Sequence, residues 1–231
     1  MSDDAMNRVP VGLFPRLLIA IIGIAFASLS SGAFSADRTA PWVGTTLDGR
    51  QCQARGNDQA IKFDYITDKS SLQVVERFHF TPEVEQLIRG NTTASPIKDI
   101  DYTLIKYPNH PRALYSAVRF SLSNAPQQLI KQYPAECYLQ RAMQFSRGDP
   151  VPPMLFGLYL HRLGKLDQSL SQYRIAEKLA PNDPNLMYNL GLLLYDQENY
   201  EESYRYAKRA YDLGLTFPAL KKKLQDAGYW N

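Results

Sequence analysis

The sequence predicts an all-α fold, a solenoid of stacked antiparallel helix pairs. Three observations point to it. Gly157 and Gly191 lie 34 positions apart, and their surroundings repeat: Phe156 answers Leu190, Leu160 answers Leu194, Leu166 answers Tyr200, Ser169 answers Ser203 and Ala176 answers Ala210. The tract Leu-Ala-Pro-Asn-Asp-Pro at 179–184, which closes the first copy, has a counterpart in Tyr-Pro-Asn-His-Pro at 107–111. Between such turns, apolar residues recur at the spacing of a helix face.

The totals are consistent with this. A chain of 231 residues with 45% apolar content can bury a continuous core. The net charge of +3 is small and the basic residues are scattered, which argues against nucleic-acid binding. Two cysteines, Cys52 and Cys137, are too few for a disulfide framework and lack metal-site spacing.

Residues 1–36 are a separate object. Arg8 and Arg16 precede an apolar run from Leu17 to Leu29, and the small-residue tract Ser-Ser-Gly-Ala-Phe-Ser-Ala at 30–36 follows. That order is the charged, apolar and cleavage region of a signal peptide. The alternative is a retained inner-membrane anchor over residues 17–34, since the run is short of a full bilayer span but extendable. Either way the remainder is expected to be exported, with the periplasm as its compartment. In an oxidising compartment Cys52 and Cys137 can pair, tying the N-terminal region to the helical array; the alternative is two unpaired thiols.

Residues 37–80 are expected to form an irregular arm, because Pro41, Gly44, Gly49 and Gly56 interrupt any pattern. Ile61 to Ile66 alternates weakly, which fits a short extended piece or a loop whose aromatics pack on the first helices. Thr81-Pro82 then opens a helix, with Val84, Leu87 and Ile88 on one face and Gly90 as its stop. A second helix runs over 99–107. Arg112 to Leu122 is helical, 123–134 is an interruption carrying Pro126 and Pro134, and Ala135 to Phe145 is helical again. Ala142 precedes Ala176 by 34, so this helix is in register with the later copies. Pro108 and Pro181 are 73 apart, two periods plus five. Residues 81–149 therefore read as degenerate helix pairs, and 150–215 as two well-matched units. The last helix, 218–227 within 216–231, has an apolar stripe of Leu220, Leu224 and Ala227 under Lys221, Lys222 and Lys223. It fits a polar cap on the solenoid end.

These residues resemble the tetratricopeptide repeat (TPR) family, well over 150–215 and in part over 82–149. The usual tryptophan is absent, with Pro153 and Met187 in its place. The resemblance implies a right-handed superhelix whose first helices line a concave groove that binds a peptide or partner helix. The groove positions it implies are Met154, Leu158, His161 and Arg162, then Asn185, Tyr188, Asn189, Leu192, Tyr195 and Asp196, with Lys222 and Lys223 in similar register on the last helix. The bland alternative is an ordinary solvated helix face.

Enzymatic signatures are absent from the sequence. His79, His110 and His161 are far apart and show no metal-ligand spacing. His79 beside Phe80 is expected to pack, and His110 to cap a helix or be solvated. Glu83 and Glu85 suit the first turn of a helix by charge. No cofactor is implied. The expected partner is a protein or peptide held by a scaffold, with membrane contact only through an uncleaved N-terminal segment. The competing expectation is a structural subunit of an envelope assembly that docks through its arm.

Overall fold

The computed structural model describes residues 39–54, 58 and 60–230, all within one compact unit, Ser35–Asn231. The signal-or-anchor segment expected over 1–36 lies outside the described residues. Among the described residues no helix is long and apolar enough to cross a membrane.

Eleven helices account for the regular structure of the described residues: α1 Leu72–His79, α2 Pro82–Glu85, α3 Pro96–Lys106, α4 Pro111–Ser121, α5 Gln127–Gln132, α6 Ala135–Phe145, α7 Val151–Arg162, α8 Leu166–Leu179, α9 Pro184–Asp196, α10 Tyr200–Asp212 and α11 Ala219–Asp226. The architecture is one of antiparallel helix pairs, closest between α7 and α8 and between α9 and α10. There is no strand among these residues beyond one isolated bridge, Thr45 to Gln51.

The pairs α7/α8 and α9/α10 repeat at atomic detail. Ser169 Oγ donates to the carbonyl of Gly157 at 2.8 Å, and Ser203 Oγ to that of Gly191 at 2.7 Å. Both serines are fully buried, so each hydroxyl spends its donor on the facing helix. The close approach needs glycine: a Cβ on Gly157 would lie 2.5 Å from the ring of Tyr173. The closing turns also match. Asp183 accepts from Leu186 N at 2.8 Å to cap α9, and His110 Nδ1 accepts from Ala113 N at 3.1 Å to cap α4.

Two apolar clusters form the core. Phe80, Ile97, Leu104, Leu114, Tyr138 and Leu139 belong to the first, which reaches into α7 through Leu155, Phe156 and Leu160. Tyr173, Leu186, Leu190, Leu193 and Leu194 belong to the second, which α11 closes with Leu220 and Leu224, both fully buried. Lys221, Lys222 and Lys223 are left outside.

The arm differs most from expectation. It contains a helix, α1, which turns Val75 inward while Val74 and Phe78 stay exposed. Nor is the arm a free surface tail, since Ala40, Thr46, Cys52 and Lys62 are all buried. Arg141 of α6, 1% exposed, holds it: Nε donates to Ala40 O at 2.7 Å, Nη1 to Leu104 O at 3.0 Å and Nη2 to Asp58 at 2.8 Å. Asp58 also accepts from Trp42 Nε1 at 2.8 Å and pairs with Lys62. A disulfide joins Cys52 to Cys137, with their Cα atoms 5.5 Å apart. The aromatics of 61–66 pack on the array: Phe63 stacks on Tyr107 and Tyr65 meets His110, with ring centroids 5.4 and 4.8 Å apart.

There are two smaller differences. Helix α2 ends at Glu85, before the expected stop at Gly90, and Leu87 takes a left-handed φ of 64°. The loop after it is gathered by the buried Asp99 carboxylate, which accepts from Asn91 N at 2.9 Å and Thr93 Oγ1 at 2.8 Å and faces His79 Nδ1 at 2.9 Å. The interruption at 123–134 holds the short helix α5, none of whose residues is buried.

Candidate protein-interaction face

The first helix of each pair is α4, α7 or α9, and α11 continues the series. Their shared face carries the residues singled out as groove positions. A polar chain crosses it: Asp196 on α9 lies 2.9 Å from His161 Nε2 on α7 and 3.4 Å from Lys223 Nζ on α11. Lys223 Nζ also stands 4.6 Å from the ring centroid of Tyr195, which meets Tyr200 edge-on at 5.1 Å. One carboxylate thus serves two junctions between neighbouring helices.

The other expected groove residues divide by burial. Arg162, Asn185 and Lys222 are exposed, and Asn189 is half-buried. Met154 and Leu192 pack on the second core cluster and Leu158 on the first, so each offers only part of its surface. Tyr188 requires a correction. It is 9% exposed and meets Tyr211 and Phe217 edge-on, at 6.4 and 5.8 Å, so it belongs to the core that binds α9 to α10 and to the segment before α11.

Residues of α4 complete the face. Between α4 and α7 a cleft of about 450 Å³ is lined by Tyr115, Val118, Arg119, Leu122, Leu158 and Arg162. Tyr115 is 45% exposed and Leu122 37%. A shift of 39, one period plus the five extra residues, aligns Tyr115 with Met154, Arg119 with Leu158 and Leu122 with His161. The 73-residue spacing of Pro108 and Pro181 carries this shift and is the signal that locates the α4 residues.

Charge at this cleft is unbalanced. Arg119 donates from Nη1 to the carbonyl of Glu85 at 3.3 Å. The Glu85 carboxylate itself is taken by Arg112, 2.8 Å from Nε, and that hydrogen bond holds its pKa below the usual value. Arg162 makes no hydrogen bond or ion pair among the described residues. Two guanidinium groups therefore line the cleft, and no carboxylate does.

The histidines do not converge. His79 stacks on Tyr102 with centroids 3.7 Å apart besides facing Asp99. His110 is fully buried, not solvated; it caps α4 through Nδ1, which leaves the proton on Nε2 facing Glu76 at 3.1 Å. Among the described residues no group of three or more His, Cys, Asp or Glu could hold a metal ion.

The family model described as TPR repeat matches residues 157–198, from Gly157 of α7 to just past α9. Among solved structures the chain is similar to the crystal structure of YrrB, "a TPR protein with an unusual peptide-binding site", at 20% identity and a TM-score of 0.35, over 69% of this chain and 86% of that one. No curated protein matches the sequence. The family match at 157–198, with the Gly–Ser hydrogen bond recurring one period later, shows that this chain carries TPR repeats over α7–α10, a repeat type built into protein- and peptide-binding scaffolds.

Proposed function

We propose that this protein is an exported, non-catalytic scaffold that holds a segment of a partner protein on its first-helix face, with an acidic residue of that segment between Arg119 and Arg162. The observation that carries the reading is the contrast along one face. The α7–α9 and α9–α11 junctions share the carboxylate of Asp196, whereas the α4–α7 cleft has two arginines and no acid. A guanidinium pairs well with a carboxylate and gains more when water is partly excluded. Exposed Tyr115 and Leu122 offer apolar contact beside the charge.

Selection from a random displayed peptide library against the purified protein tests this. Binders enriched in Asp or Glu are expected, with the enrichment lost in the Arg119→Gln/Arg162→Gln variant. No binders at all would sink the groove; binders without acidic preference would sink the role of the two arginines. Docking through the arm finds less support, because the arm is fastened by Arg141 and by the disulfide.

Export is supported by the charged, apolar and small-residue order of residues 1–36 and by the Cys52–Cys137 bridge, which needs an oxidising compartment to persist. N-terminal sequencing of the protein from fractionated cells should find a new terminus near residues 33–36. Intact Met1 in the membrane fraction would mean a retained anchor, and intact Met1 in the cytosol would overturn export.

A further inference from the structure

The second helices of the pairs tell a different story. Between α8 and α10 the junction is closed by side chains. Arg174 pairs with Glu177 at 2.9 Å and with Glu202 at 2.8 Å, and Tyr206 OH donates to Glu177 at 2.8 Å. The guanidinium groups of Arg174 and Arg209 lie 5.4 and 5.7 Å from the centroid of the Tyr206 ring. That ring fills the junction and is 8% exposed.

One period earlier stands the junction between α6 and α8. Subtracting 34 replaces Arg174 by Gln140, Glu177 by Met143, Tyr206 by Gln172 and Arg209 by Ile175. All four replacements line a cleft of about 460 Å³, floored by Phe156 of α7. Gln140 does not reach across. The arm recruits it instead: Nε2 donates to Thr45 O at 2.8 Å and Oε1 accepts from Thr45 N at 3.3 Å. The arm comes so close here that a Cβ on Gly44 would lie 2.0 Å from Gln140 Oε1.

The cleft stays open where the later junction is filled by Tyr206. Ile175 and Leu179 on its wall are each 39% exposed. Gln172 Oε1 is buried and accepts no hydrogen bond among the described residues. An acceptor left this way costs about 1–3 kcal/mol unless a donor arrives. The volume falls within the usual range of ligand pockets.

We propose that the α6–α8 cleft is a second binding site, which takes a tyrosine or tryptophan side chain of a partner polypeptide. The ring occupies the place that Tyr206 fills one repeat later and lies against Met143, Phe156 and Ile175. Its O–H or N–H donates to Gln172 Oε1. Tyrosine and tryptophan alone among the residues join a large apolar ring to a neutral donor at its edge, which is the pairing this cleft offers. The site is independent of the first-helix face and does not rest on it.

Nuclear magnetic resonance of the folded, disulfide-intact protein tests the site with N-acetyltyrosinamide and N-acetylphenylalaninamide as probes. The expected result is titratable shifts at the Met143, Ile175 and Leu179 methyls and the Gln172 side-chain amide, with the tyrosine probe bound about tenfold more tightly. Gln172→Leu should bring the tyrosine probe down to the level of the phenylalanine one. Gln172→Tyr should abolish binding of both, because it rebuilds the filled junction, and its unchanged thermal unfolding would show that the fold survives. Shifts confined to other faces, equal affinity for the two probes, or undiminished binding by Gln172→Tyr would each overturn the proposal.

Discussion

Gly157 and Gly191 occupy the same place in successive repeats, but they are not equally replaceable. A methyl on Gly157 meets the Tyr173 ring, which is fully buried and has nowhere to move. A methyl on Gly191 meets Leu220 Cδ2 at 2.6 Å, the far end of a flexible side chain. Alanine gains about 1 kcal/mol of helix propensity at either site, against an overpacking cost of about 1–3 kcal/mol. Urea unfolding should therefore show Gly157→Ala destabilised by about 1–2 kcal/mol and Gly191→Ala within about 0.5 kcal/mol of the parent. His110 gives a second residue-level expectation. Burial lowers its pKa from 6.5, although Glu76 pulls the other way and Arg112 adds to the lowering. The unfolded chain then takes up the proton first as pH falls. Stability is complete above about pH 6.5 and is lost as pH drops through the folded value, because protonated Nδ1 can no longer accept from Ala113. The urea midpoint should fall on acidification from neutral pH, and His110→Asn, which keeps a cap acceptor, should flatten that fall.

At the scale of the element, the arm is the part whose attachment can be switched. The Cys52–Cys137 bridge closes a separation of 85 residues, for which loop entropy gives roughly 4–5 kcal/mol. Reduction, or Cys52→Ser, should lower the melting temperature and make residues 39–54 the first site of proteolysis, with α7–α10 resistant. Equal resistance of the arm with and without reductant would show that Arg141 alone fastens it. Helices α7 to α10 were legible because glycine, serine and alanine recur at one spacing and each has one packing role. Helices α1 and α5 were not, because α1 turns only Val75 fully inward and α5 turns none, so no stripe announces them. The face was half legible. Leu158 and Arg162 belong to the α4–α7 cleft, but Tyr115, Arg119 and Leu122 stand across five extra residues that break the register. Tyr188 looked available because nothing in its own helix hides it. Tyr211 and Phe217 cover it, and they lie beyond that helix.

For the whole molecule, the two core clusters meet at α7, which contributes Leu155, Phe156 and Leu160 to one and Met154 to the edge of the other. Energetics in such a stack are close to nearest-neighbour sums. Truncation before α11 removes Leu220 and Leu224 from the second cluster and uncovers Gly191, yet leaves the first cluster intact. Hydrogen exchange in that variant should rise in α9 and α10 and stay unchanged in α3, α4 and α6; a uniform rise would mean that the stack opens as one cooperative unit.

The single bridge has one more consequence, in the order of events during synthesis. A chain emerging amino end first exposes Cys52 long before Cys137. With no third cysteine in the sequence, the early thiol has no wrong intramolecular partner to meet. It must wait until α6 is made and placed beside it. Closure of the bridge therefore reports that the arm and α6 have come together, and oxidation becomes a proofreading step for that one encounter.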